Sequence, residues 1–236
     1  MLRRFLSCLV LPFMLAAPAV APAQQRAAAT DWTSTVTIGS NGAFILGNPK
    51  APNRLVEYLS YTCSHCAHFQ AEGAPQLKAQ WIRRGLLSLE FRNYVRDPFD
   101  LAAAMLARCG GAARFAGNHE TLFAGFEDWM KRAQAYADAQ KDAAPTEDRV
   151  EQITDIADKT GLIARLAPRG LAPAAQRQCL ADKQALSQVL GLTASAWDSK
   201  EFSGTPFFIL NGRPLADVHD WAGLRPLLPA LPRSGN

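Results

Sequence analysis

Apolar positions fall into two kinds of run along this chain, short unbroken stretches bounded by turn residues and long stretches repeating every three or four residues. The short ones come first and last. Val36-Thr37-Ile38 is expected as an edge strand. Ala43-Phe44-Ile45-Leu46 reads as a strand that Gly47-Asn48-Pro49 breaks, and Leu55 to Leu59, apolar almost throughout, reads as a central strand covered on both faces. A helix is predicted from about Cys63 to Arg84, kinked at Gly73-Ala74-Pro75, with Leu86 to Tyr94 returning as a strand.

After Asp97-Pro98 the helical period takes over for about 100 residues. Leu101, Met105 and Leu106 share one face; Phe115, Leu122, Phe123 and Phe126 mark another; Val150, Ile153, Ile156 and Ala157 a third, with Trp129 closing the bundle. Gln140 to Asp148 reads as an exposed link with Thr146 capping the next helix, Ala167 to Pro173 as a loop, and Ala174 to Trp197 as one long helix. Strand character resumes at Pro206-Phe207-Phe208-Ile209-Leu210. Asn211-Gly212 then predicts a two-residue hairpin, because both positions of a type I′ turn need positive φ, and Asp220 to Leu228 a closing helix.

The chemistry concentrates where the central strand meets the first helix, in Thr62-Cys63-Ser64-His65-Cys66. This spacing sets the first sulfur at a helix N-terminus, where unpaired N–H groups and the helix dipole favour a thiolate, and the second about one turn inside. Cys63 is thus expected to be the exposed nucleophile, Cys66 its resolving partner, and His65 a nearby positive charge or hydrogen-bond donor that lowers the Cys63 pKa further. Two other readings of the pair stay open. It could be half of a zinc site, with His65 and His68 nearby, although no second CxxC or HxxxH follows, or it could be a structural disulfide, although so tight a loop is easily reduced. Covalent haem is excluded, because Ala67 stands where its histidine would be. His68 reads as a solvated helix residue; His119 and His219 have no assigned role.

The strand, the CxxC and the later Thr205-Pro206 together resemble the thioredoxin fold, and the CxHC followed by the early aromatic Phe69 is similar to its DsbA-like branch. The resemblance implies an α/β protein, a thioredoxin fold with an inserted α-helical domain, acting as a thiol:disulfide oxidoreductase. It implies that Glu57, six residues before Cys63, is the buried acid that relays the proton of Cys66. It also implies that Pro206 is cis, and that Thr205, Pro206 and Ser64 meet the substrate. Ser64 stands where proline is common in this branch, and Thr205 where some members carry valine.

At the N-terminus, Met1-Leu2-Arg3-Arg4, the apolar run Phe5 to Ala17 and a small-residue segment ending at Ala23 form the pattern of a secretory signal peptide. The apolar run is too short to span a bilayer as a stable helix. The expected divisions are 1–23 signal peptide, 24–42 tail and edge segment, 43–97 first part of the thioredoxin domain, 98–199 helical insertion and 200–236 second part. Of the formal net charge of +4, two units belong to Arg3 and Arg4, so nothing points to nucleic acid. Setting Cys8 aside leaves four of the five cysteines in a disulfide-permissive setting; if Cys63 pairs with Cys66, Cys109 and Cys179 are left for each other, the alternative being two buried thiols. No metal or cofactor is called for. The expected partners are reduced or misoxidised exported polypeptides and a DsbB-like membrane quinone reductase that re-oxidises the pair. Because only about 20 residues lie between Gln24 and the first core strand, a dimerisation region is not expected. A monomeric periplasmic oxidase is therefore preferred, with a disulfide isomerase or a chaperone-like peptide-binding module as alternatives.

Overall fold

The computed structural model describes residues 30–143 and 146–232; the predicted signal peptide lies outside them. Among the described residues a six-stranded sheet runs in the order β1-β2-β4-β3-β5-β6. The strands are β1 (Val36–Ile38), β2 (Phe44–Leu46), β3 (Asn53–Leu59), β4 (Leu87–Asn93), β5 (Phe207–Leu210) and β6 (Arg213–Leu215). β3 and β4 pair in parallel and the other neighbours antiparallel. β3 is central because it can be: from Leu55 to Leu59 every side chain is buried. Leu55 and Leu59 join the main core with Leu89, Phe91 and Phe208, while Val56 and Tyr58 pack on the opposite face with Phe207 and Ala196.

Helix α1 (Ser64–Leu77) covers the main-core face, with Phe69 tilted against Phe208 at a ring separation of 4.9 Å. At Gly73-Ala74-Pro75, where a kink is expected, the helical hydrogen-bonding pattern continues. The helix passes through Pro75 and widens afterwards, over Lys78–Ile82, where Trp81 and Ile82 are buried. Gly73 serves packing instead: a Cβ there would lie 2.8 Å from the Phe69 ring and 3.0 Å from Trp221.

Between β4 and β5 come α2 (Pro98–Ala107), α3 (Ala112–Ala124), α4 (Phe126–Gln140), α5 (Arg149–Lys159), α6 (Leu162–Leu166), α7 (Pro173–Leu180) and α8 (Lys183–Ser195). α2 is their hub, buried from Asp100 to Ala107 and capped by Asp97, whose carboxylate accepts from the Asp100 N–H. Asp148, not Thr146, caps α5, because its carboxylate reaches the Val150 and Glu151 N–H groups from the residue directly before the helix. The single helix expected over Ala174 to Trp197 is two. The chain breaks at Ala181-Asp182, and the Asp182 carboxylate caps α8 by accepting from Gln184 and Ala185. The stretch expected as a loop before α7 contains one tight helical turn, Ala167–Arg169, ended by Gly170 at φ 77°. Cys179 in α7 is bonded to Cys109, just past α2, across 70 residues of chain. Thr193 ties α8 to the sheet, its hydroxyl accepting from the Val95 N–H and donating to the Asn93 carbonyl.

β5 and β6 are joined by Asn211 and Gly212 at φ 52° and 81°, the left-handed pair that a two-residue hairpin requires. The closing helix is shorter than its pattern predicts: α9 (Trp221–Leu224), capped by Asp220, continues only as a tight turn over Arg225–Leu227.

Candidate active site

At the C-terminal end of β3 the chain leaves the sheet through Ser60-Tyr61-Thr62 and starts α1 with Cys63 as N-cap, its sulfur accepting from the Cys66 N–H at 3.4 Å. In this position a side-chain oxygen would ordinarily satisfy one of the helix's free N–H groups; here a sulfur does. Cys63 and Cys66 are both free thiols. The Cys63 Sγ also donates to the Thr205 carbonyl at 3.1 Å, and the Thr205–Pro206 peptide is cis.

Cys63 is not the open position expected. It is only 3% exposed, because the loop bearing Thr205 lies against it. Its pKa is nevertheless pulled down from 9.0 to about 5. The Cys66 thiol hydrogen-bonding to the sulfur lowers it most; the Thr205 side chain, the Cys66 N–H and the charge of Arg96 add to this against the opposing effect of burial. His65 is not among these groups. Its side chain, like that of Ser64, is exposed, so the positive charge that acts on the sulfur comes from Arg96.

Arg96 stands between β4 and α2 and reaches across to the strand–helix turn. It donates from Nη2 to the Thr62 carbonyl at 2.5 Å and from Nε to the Ser60 hydroxyl at 3.0 Å. Asp97 accepts from the Thr62 hydroxyl at 2.8 Å, and buried Asp100 accepts from the Tyr61 N–H at 2.7 Å and the Arg96 N–H at 3.1 Å. Burial raises the Asp100 pKa to about 7. The start of the helical layer thus grips the turn that presents the cysteines.

Cys66 is fully buried, and burial pushes its pKa up, reinforced by the neighbouring Cys63 and Glu57. Glu57 lies on the central strand β3 beneath α1 and is fully buried. Loss of water lifts its pKa from 4.5 to about 8, against the hydrogen bond from Gln70 Nε2, which lies 3.2 Å from each carboxylate oxygen. Gln70 is one helical turn beyond Cys66, so the spacing that buries Cys66 also aims Gln70 at the strand. That signal was readable in the sequence; Arg96 carried none, being 33 residues from Cys63.

The remaining histidines separate by surroundings. His68 pairs with Glu72 at 3.0 Å on the solvent side of α1. His119 is buried on α3 with its Nδ1 2.9 Å from the Tyr61 hydroxyl, and burial drives its pKa down to about 3. His219 lies 2.9 Å from the Pro206 carbonyl.

The thioredoxin family model matches residues 40–230. Among curated proteins, one from Rickettsia conorii, provisionally named a protein-disulfide oxidoreductase, is 29% identical over 169 residues, covering 71% of this chain and 53% of that one. Its counterpart in Rickettsia typhi is 29% identical over 173 residues, 73% of this chain and 56% of the other. The chain spans about half the length of these curated relatives. A crystal structure described as a protein-disulfide isomerase from Novosphingobium aromaticivorans is 34% identical with a TM-score of 0.72, covering 78% of this chain and 93% of that one. Wolbachia pipientis alpha-DsbA1, at 22% identity and a TM-score of 0.62 over 80% and 90% of the two chains, shares the fold.

Proposed function

The chain belongs to the thioredoxin family, and we propose that it is a DsbA-like, exported thiol:disulfide oxidase that passes the Cys63–Cys66 disulfide to reduced or misoxidised polypeptides. The observation that carries this reading is the divergence of the two thiols, Cys63 held down to about 5 and Cys66 pushed up. A thiolate stabilised at Cys63 stabilises the reduced pair, which makes the disulfide a stronger oxidant and Cys63 a good leaving group.

The reaction follows from the geometry. A substrate thiolate attacks Cys63 Sγ of the disulfide; the new S–S bond joins substrate to Cys63, and the electron pair of the broken bond goes to Cys66. The buried Cys66 thiolate takes a proton from Glu57, whose raised pKa keeps it protonated near neutrality. A second substrate thiol, as thiolate, then attacks the substrate sulfur of the mixed disulfide and releases Cys63 as the stabilised thiolate. Thr205 and Pro206 border the sulfur and would receive the substrate backbone, with Ser64 at the exposed rim. The couple needs no metal or cofactor. Restoring the disulfide requires an oxidant, for which a DsbB-like membrane quinone reductase is the proposed partner.

The signal-like N-terminus supports export to the periplasm. Among the described residues no helix is long and apolar enough to cross a membrane. We take the protein to act as a monomer and without nucleic acid. Isomerase activity is the second reading, favoured by the 34% identity to the protein described as a disulfide isomerase.

Oxidised protein mixed with a reduced two-cysteine peptide should yield one peptide disulfide per protein in a burst, with a redox potential more oxidising than that of glutathione. A couple as reducing as thioredoxin, combined with efficient rescue of a scrambled protein, would replace the oxidase reading by the isomerase one.

A further inference from the structure

We infer that His219 is a positioning residue that clamps the loop Ser203–Pro206 against the Cys63 sulfur, an inference that rests on the proposed disulfide exchange. β5 pairs with β6 only as far as Phe208 opposite Leu215, two residues short of Pro206. At that point β6 turns away, the Val218 N–H bonding back to the Leu215 carbonyl at 3.1 Å, so the sheet supplies no donor to the Pro206 carbonyl. His219 supplies it, with Nδ1 at 2.9 Å. Its Nε2 lies 3.4 Å from the Ser203 hydroxyl, which also lies 3.2 Å from the Ala216 carbonyl. One half-buried imidazole therefore touches both ends of the four-residue loop.

The imidazole is itself held in place. The next residue, Asp220, caps α9 by accepting from the Gly223 N–H at 2.8 Å, and Trp221 is buried beside Trp81 and Gly73. Rigidity is thus passed from the core through α9 and His219 to the loop. Between the two clamped ends lies Thr205, whose carbonyl meets Cys63 Sγ at 3.1 Å, while among the described residues its N–H has no backbone partner. An extended substrate segment would use that free backbone. A loop fixed in advance binds it without bearing the entropy of ordering.

The carbonyl only accepts, so Nδ1 must carry the proton; this is the first test. A long-range proton–nitrogen spectrum of the full chain should show His219 protonated at Nδ1, and an imidazole protonated at Nε2 alone overturns the clamp. The second test compares wild type, His219→Ala and His219→Asn in oxidation of a reduced two-cysteine peptide and of glutathione. The alanine variant should raise KM for the peptide about tenfold, with a much smaller change for glutathione, which offers no extended strand. Asparagine, whose side-chain N–H can stand near the place of Nδ1, should restore most of the loss. An unchanged peptide KM in His219→Ala, or equal losses for peptide and glutathione that asparagine does not rescue, refutes the inference while leaving disulfide exchange intact. If the wild-type protein oxidises no peptide at all, the functional reading fails, and the substrate role of the clamp with it.

Discussion

Two pairs of cysteines sit about as differently as one chain allows. Cys109 and Cys179 are 70 residues apart and bonded, holding α7 against the end of α2. Cys63 and Cys66 are three apart and free, at the junction of the central strand with the first helix. The first pair joins an Ala-rich buried helix on one side to a short helix opened by Pro173 on the other. The second pair has a helix N-terminus, Arg96, the Thr205 loop and buried Glu57 around it; hydrogen bonds to the Cys63 sulfur, the Cys66 thiol's first, lower its pKa, while burial raises that of Cys66. The contrast lies in the neighbours: charge and unpaired N–H groups at one site favour the thiolate that the proposed exchange requires, while chain topology at the other site uses the same bond as a cross-link.

The sharpest way to break the contrast is to exchange the roles. Cys63→Ser should reduce peptide oxidation by at least about a thousandfold, since the proposed reaction forms its mixed disulfide at that sulfur. Removing the other pair, as Cys109→Ala with Cys179→Ala, should leave the Cys63 alkylation profile in place. If the double variant loses oxidation as Cys63→Ser does, the division between the pairs is wrong.

Glu57 gives the next effect, and its sign can be worked out. Its folded pKa of about 8 exceeds the ordinary 4.5, so between those values the native protein keeps a proton that the unfolded chain has released. Stability should therefore fall as pH rises through this window, by roughly 5 kcal/mol across the whole of it. Cys63, depressed from 9.0 to about 5, acts oppositely: its contribution is complete above 9 and is lost as pH falls through 5. Denaturant unfolding in the Cys63→Ser background removes the opposing Cys63 contribution, and Glu57→Gln in that background should remove the share of the pH dependence that belongs to Glu57, leaving that of Asp100 and His119. With Cys63 intact, Glu57→Gln should slow release of substrate from the mixed disulfide more than its formation. Equal rates would reduce Glu57 to a structural part.

The cross-link comes third. A bond closing a loop of 70 residues is worth roughly 4 kcal/mol through restriction of the unfolded chain, so the Cys109/Cys179 double variant should unfold at clearly lower denaturant. Smallest are the charges around Cys63. Arg96→Met should reduce alkylation of Cys63 at pH 6 several-fold and make the couple less oxidising, while His65→Ala should change either by less than about twofold. A larger effect from His65 would restore the role that its place between the cysteines suggests.

Much of this was legible from residue order. The apolar run of β3, interrupted only by Glu57 between Leu55 and Leu59, meant burial on both faces, since a strand with one wet face alternates. Asn211-Gly212 meant a hairpin, because few other pairs tolerate two positive φ values in succession. CxxC at a strand–helix junction meant a capped, activated sulfur. These are local rules, each set by a few neighbouring residues. Helix ends were less legible where two caps competed, as with Thr146 and Asp148, or where a helix could stop early, as at Asp182. The groups that tune the site were the least legible. Arg96 reaches the turn before Cys63, and His219 the loop bearing Thr205, only once β4 and β5 have paired with β3 and the helical layer and β6 have been folded beside them. Electrostatic and hydrogen-bond effects act through space over a few ångströms, and the folded chain alone determines which distant residues lie within that reach.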